Sequence, residues 1–290
     1  MSKAIAIFLV IFFCRDVSCA EICEEIIAPM CRGLIPYNMT KMPNMFGHTT
    51  QAQAYRRMER YWSGMDLPCS NNFRLTICGV FFPQCESGDG YVTTKLPCRE
   101  GCLYAKRECR KSFKQLNMKW PSKVLKCKKL SRKKSKNCVK PYPKVKTPPV
   151  PQYLYCEPNQ IEMCNGFNIG KGSLPNFFQQ GKPNEVATEM ENYRLLLRSN
   201  CSPNLRFFIC GVYKPFCPSN NRPIVLPCRE LCQEVKQSCE SIYRKLYNGM
   251  RWPSKFQCHR YPLSNSTMMP CKMSDVITDD DEEPFIPTRN

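Results

Sequence analysis

Leu96-Pro97-Cys98-Arg99-Glu100 reappears further along the chain as Leu226-Pro227-Cys228-Arg229-Glu230. Two other tags keep step with it. Ile77-Cys78-Gly79-Val80 returns as Ile209-Cys210-Gly211-Val212, and Trp120-Pro121-Ser122-Lys123 returns as Trp252-Pro253-Ser254-Lys255. The cysteines around them repeat as well. From Cys23 to Cys138 the successive spacings are 8, 38, 9, 7, 13, 4, 7, 18 and 11; from Cys156 to Cys271 they are 8, 37, 9, 7, 11, 4, 7, 19 and 13. Such self-similarity marks a duplicated module. The reading is two domains, 21–139 and 154–272, joined by a proline-rich spacer at 140–153 that is expected to be extended and semi-rigid.

The flanks place the modules in a compartment. A ten-residue apolar run, Ala4 to Phe13, follows Lys3 and precedes the small residues Ser18-Cys19-Ala20. Residues 1–20 therefore read as a signal peptide, too short to span a bilayer. No membrane span follows, and the polar, acidic end (residues 273–290) is expected to be a disordered tail with no glycolipid-anchor signal. The 22 cysteines among 290 residues suit an oxidising, extracellular setting. Twenty remain after cleavage, ten to a module.

Helix signals dominate each module. Thr49 or Thr50 caps a helix through about Ser63, with Tyr55, Met58, Tyr61 and Trp62 as its apolar stripe and Gly64 as its stop. Its counterpart opens at Pro183 and runs through Tyr193 to Leu197. A second helix begins at Ser70 or Ser202 and ends before Pro83 or Pro215. A third carries Cys98, Cys102 and Cys109, or Cys228, Cys232 and Cys239, where the four-residue step sets two cysteines on one face. A small β-hairpin is expected ahead of the first long helix. Five bridges per module at about 2–4 kcal/mol each would dominate its stability. Ten cysteines admit far more pairings than counting can choose among.

The cysteine order, together with Tyr37-Asn38-Met39-Thr40, Met42-Pro43-Asn44, Gly47-His48, Gln51, Cys69-Ser70, Pro97-Cys98-Arg99 and Trp120-Pro121, closely resembles the frizzled-type cysteine-rich domain. Leu174-Pro175-Asn176, Cys201-Ser202-Pro203, Phe207-Phe208-Ile209-Cys210, Pro227-Cys228-Arg229 and Trp252-Pro253 extend the resemblance to the second module. It implies a mainly α fold, two disulfide-rich domains that are each a small helical bundle with a short β-hairpin. It also implies a pairing: Cys23–Cys85, Cys31–Cys78, Cys69–Cys109, Cys98–Cys138 and Cys102–Cys127 in one module; Cys156–Cys217, Cys164–Cys210, Cys201–Cys239, Cys228–Cys271 and Cys232–Cys258 in the other.

Domains of this type bind Wnt proteins by seating the Wnt's fatty-acyl chain in an apolar groove between helices. The resemblance assigns the groove wall to Tyr61, Ser63, Leu67, Val80, Leu116 and Met118 in module one, and to Tyr193, Leu195, Val212 and Met250 in module two. Each of these residue types serves equally as ordinary core. Departures stand out: Ser63-Gly64 replaces bulkier or proline residues in module one, and module two lacks the Tyr-Asn-x-Thr sequon and the Gly-His element, with Gly166-Phe167-Asn168-Ile169 and Gly181-Lys182 nearby. One module could bind while the other acts as a spacer or a dimerising unit. The implied role is a secreted, tandem-domain relative of the secreted frizzled-related proteins, without their netrin-like domain, which sequesters or carries lipid-modified Wnt and so modulates Wnt/frizzled signalling. Frizzled receptors, through their own cysteine-rich domains, are a further partner the resemblance implies.

Net charge is +19, and twelve Lys or Arg lie between Lys119 and Lys146. In a secreted protein this block points to heparan sulfate or another acidic polymer, or else is a solvated face; the compartment argues against nucleic acid. Asn38, Asn200 and Asn265 head glycosylation sequons. No catalytic residues and no cofactor are expected: the two histidines, His48 and His259, fall in different modules with no nucleophile or carboxylate arrangement. No metal site is expected either, because secretion and an even cysteine count favour disulfides over zinc. Three readings stay open: a Wnt-binding modulator, a carrier of free lipid or sterol, and a heparan-sulfate-binding matrix protein.

Overall fold

The computed structural model describes residues 22–67, 69–88, 91–115, 117–143, 155–158, 160–165, 167, 171–217, 225–267 and 269–273. The expected leader, most of the spacer and the acidic tail lie outside them. Helices and disulfides dominate both modules, as the repeat and its resemblance imply.

In module one, β1 (Glu24–Glu25), β2 (Met39–Thr40), β3 (Gln84–Gly88) and β4 (Tyr91–Lys95) form an antiparallel sheet in that order. The helices are α1 (Gln51–Met58), α2 (Trp62–Asp66), α3 (Asn71–Phe81), α4 (Arg99–Glu108) and α5 (Arg110–Gln115). Module two has the paired strands β5 (Tyr155–Pro158) and β6 (Lys171–Leu174), then α6 (Pro183–Glu191), α7 (Arg194–Arg198) and α8 (Leu205–Tyr213). Strands β7 (Leu226–Pro227) and β8 (Cys271–Lys272) pair in parallel around α9 (Arg229–Leu246).

Thr50 caps α1, its side chain accepting from the Gln53 amide. Gly64 does not end that helix. A 3-10 turn at Glu59–Tyr61 leads straight into α2, which contains Gly64. In module two the expected single helix breaks at Asn192-Tyr193 and resumes as α7, while α8 begins at Leu205 rather than at Pro203. Gly79 and Gly211 explain their shared tag by close approach: a Cβ on either would fall 2.3 or 2.7 Å from the ring of Pro97 or Pro227. The arginine of Pro-Cys-Arg is also structural. Arg99 donates to the Leu130 carbonyl and Arg229 to that of Tyr261, each tying the third helix to the loop after it.

Among the described residues ten disulfides form: Cys23–Cys85, Cys31–Cys78, Cys69–Cys109, Cys98–Cys138 and Cys102–Cys127, then Cys156–Cys217, Cys164–Cys210, Cys201–Cys239, Cys228–Cys271 and Cys232–Cys258. Each closes within its own module. The modules nevertheless do not stand apart: the buried apolar side chains of both belong to one continuous core.

Candidate ligand groove and the seam beside it

The seam is held by polar groups taken out of water. Lys255 of module two is buried with its ammonium 2.6 Å from Glu189 and 3.0 Å from Asp66 of module one. Arg74 pairs with Asp66 at 3.3 Å, so two cations balance two carboxylates. The Lys255 ammonium also lies over the rings of Trp62 and Phe178, at 4.7 and 4.4 Å. Burial outweighs the neighbouring cations for Asp66, whose carboxyl is pushed up to about 6. Lys255 and Arg74 win at Glu189, which is held below the usual range. Nearby, Glu59 accepts from Arg251 and from the Ser254 amide. Asn192 donates to the carbonyls of Pro29 and Arg32.

One departure noted in the sequence finds its use here. Asn44, in Met42-Pro43-Asn44, accepts from the amides of Phe46 and His48 and donates to the Phe81 carbonyl. Asn176 makes the same three bonds with Phe178, Gln180 and Tyr213. Gln180 thus stands where module one has His48, and its amide donates to Asp66 and Glu189. The histidine position of the family tag has become part of the seam.

The groove runs along α4 and α5 of module one. Its volume is about 600 Å³. Phe113 and Trp120 make its floor, with Phe73 behind them at 5.2 and 5.5 Å. Met118 and the exposed Leu103 add apolar surface. Lys106, Arg107, Arg110, Lys114 and Lys119 rim it, and no carboxylate lines it. An apolar floor under a cationic rim suits a hydrocarbon chain whose neighbouring groups are anionic.

At the equivalent positions of module two the aromatic side chains are buried. Tyr243 stands where module one has Phe113; it stacks on Tyr247 at 4.3 Å and meets Trp252 edge-on at 5.6 Å. The Tyr247 hydroxyl donates to the Asn192 carbonyl, which pins the ring in place. Burial pushes the hydroxyls of Tyr243 and Tyr247 well above their ordinary range.

The residues assigned to groove walls by resemblance are therefore not gathered into one slot. Met118 lines the α4–α5 groove. Ser63 and Leu67 open instead into a cavity between the modules. Tyr61 packs on Phe81 at 6.5 Å, and Val80 is buried within α3. Leu116 lies outside the described residues. In module two Tyr193, Val212 and Met250 are wholly buried, so they are core rather than the wall of an open slot, while Leu195 is exposed in a second cleft between the modules. The sequence did not mark Leu103 or Phe113, and it marked Trp120 as a repeat tag rather than as a groove residue. The available signal was a leucine beside Cys102 in a helix that also carries Lys106 and Arg107.

Asn38, Asn200 and Asn265 are all exposed. His48 bonds Asn44 and stacks on Phe81, with burial lowering its pKa. Among the described residues no cluster of three or more His, Cys, Asp or Glu could hold a metal ion, and no helix is long and apolar enough to cross a membrane.

The Fz domain family matches residues 23–134 and 156–265. Frizzled-5 of Danio rerio is 31% identical over 118 residues, covering 41% of this chain and 20% of that protein. Frizzled-1 of Xenopus laevis is 29% identical over 117 residues, covering 40% of this chain and 20% of that protein. The match thus spans a fifth of the length of these relatives. Among solved structures, the Smoothened cysteine-rich domain is 24% identical and covers 41% of this chain and 94% of that one, with a TM-score of 0.28.

Proposed function

The chain belongs to the Fz domain family and carries two of its domains in tandem, and from that premise we propose that it is a secreted, extracellular binding protein whose first module takes up lipid-modified Wnt. The single observation that carries this reading is the asymmetry between modules. Module one presents an apolar groove to solvent, whereas at the equivalent positions of module two Tyr243 and Trp252 are buried and Tyr247 stacks on Tyr243. Each methylene removed from water contributes about 0.8 kcal/mol, so a chain laid over Met118, Phe113 and Trp120 accounts for several kcal/mol of affinity. The role is sequestration or carriage of the ligand away from membrane receptors, with no catalytic step.

The rim supports a second partner. Its lysines and arginines run into the exposed cations Lys128, Lys129, Arg132, Lys133 and Lys134, a surface suited to heparan sulfate at the matrix. A free fatty acid or sterol is the competing occupant of the groove itself.

Surface binding of a purified Wnt to the full chain tests the proposal, with and without its acyl group. Binding is expected to depend on the acyl group and to fall about tenfold or more in Leu103→Glu with Met118→Glu. Equal binding of both Wnt forms sinks the acyl mechanism. Mass spectrometry of lipid extracted from the purified protein addresses the free-lipid occupant.

A further inference from the structure

A cavity of about 580 Å³ lies where neither module could make it alone. Module one contributes Arg56, Arg60 and Trp62, and module two contributes Phe177, Phe178 and Arg260. The charges around it do not cancel. Glu59 is taken by Arg251, and Asp66 by Lys255 and Arg74. Arg56, Arg60 and Arg260 have no acidic partner within ion-pair reach among the described residues, and all three face the one space.

The missing complement is thus negative and small enough to sit among three guanidinium groups, with the half-buried Phe177 ring beside it. Guanidinium forks match tetrahedral and planar oxyanions bidentately. Arg260 already lies over the Phe177 ring at 4.7 Å, leaving its edge for such a contact. The volume fits one small molecule.

We infer that this inter-module cavity binds a compact, multiply charged oxyanion, a sulfate or phosphate ester, and that the anion clamps the two modules together. The site is separate from the groove on α4 and α5 and from the lysine block after it. An anion held by residues of both modules binds only the docked arrangement. Its occupancy therefore raises the unfolding midpoint with concentration.

The test is a calorimetric titration of the full chain, at physiological salt, with sucrose octasulfate, with inositol hexakisphosphate, and with plain sucrose as the uncharged control. One-to-one saturable binding of at least one anion is expected, and which of them binds separates sulfate from phosphate sources. Arg60→Glu with Arg260→Glu should weaken it by about tenfold or more, while Lys133→Glu with Lys134→Glu stays within about twofold. Hydrogen exchange should slow at residues 56–67 and 251–260 on binding. Both arginines are exposed; should the Glu pair nonetheless lower the anion-free midpoint, Arg60→Gln with Arg260→Gln replaces it with the same expected loss. The proposal is overturned by no saturable binding of either anion, by equal losses in the two charge-reversed pairs, or by loss only in the lysine pair.

Discussion

Trp120-Pro121-Ser122-Lys123 and Trp252-Pro253-Ser254-Lys255 are the same four residues placed in two environments. In module one Lys123 is exposed and Trp120 is half-buried at the floor of the groove. In module two Lys255 is buried between two carboxylates and three aromatic rings, and Trp252 is packed against Tyr243 and Phe256. Around them the contrast continues. Met118 is half-buried where Met250 is fully buried, and Phe113 backs an open groove where Tyr243 stacks on Tyr247. A duplicated domain has kept its crosslinks and divided its surfaces. One copy faces solvent with an apolar slot, and the other has put the lysine of its Trp-Pro-Ser-Lys tag into a joint.

The strongest way to break the comparison is to remove the buried cation. Lys255→Met leaves Asp66 and Glu189 buried with less compensation and should cost about 3–5 kcal/mol in denaturant unfolding. Lys123→Met, at the same place in the repeat, should stay within about 0.5 kcal/mol. Equal effects would mean that the seam does not depend on Lys255.

Next comes the plug. Tyr247→Ala removes a ring that stacks on Tyr243 and should cost about 3 kcal/mol. It should also open a slot, so that a fluorescent fatty acid binds at two sites per chain instead of one. A stoichiometry that stays at one would show that Tyr247 is not what separates the two modules.

The acid side of the seam sharpens the contrast through pH. Asp66 has its folded pKa raised to about 6, above the 3.8 of the unfolded chain. The folded state therefore takes up that proton first, and stability from Asp66 grows as pH falls from about 7 through 6 toward 4. Glu189 and His48 are lowered and act oppositely: Glu189 loses its contribution as pH falls below 4.5, and His48 loses its own as pH falls below 6.5. The informative quantity is the difference between wild type and Asp66→Asn. The variant should lack the Asp66 share, so its stability drops more steeply between pH 7 and 5. Parallel profiles would contradict the raised pKa.

The smallest expected effect lies at the groove lip, where Leu103 corresponds to the exposed Gln233 of module two. Leu103→Gln should leave stability within about 0.5 kcal/mol and weaken binding of a long-chain acyl probe by about five- to tenfold. No change in affinity would move the acyl seat elsewhere in the module.

Much of the groove escaped the sequence for a definable reason. The resemblance pointed to Tyr61, Ser63, Leu67 and Val80 by alignment with the family, and the apolar pattern around them reports burial, not which side faces a void. Leu103 and Phe113 flank Cys109, at a helix break that periodicity does not mark. The departure at Gln180 was visible as a missing histidine, and only its neighbours across the seam explain it.

What the chain's letters determine by themselves is whatever depends on local order: the repeat, the cysteine spacing, the cap at Thr50, the first-turn proline Pro183, and the Pro-Cys-Arg and Ile-Cys-Gly-Val tags. These rest on contacts between residues at fixed separations, which a duplication copies intact. The division of labour between the copies is different. Lys123 and Lys255 are indistinguishable in their own motifs. Only the packing of one module on the other takes one of them out of water and sets it between Asp66 and Glu189. Burial is a property of the surroundings in space, and for these two lysines the surroundings come from residues far away in the chain.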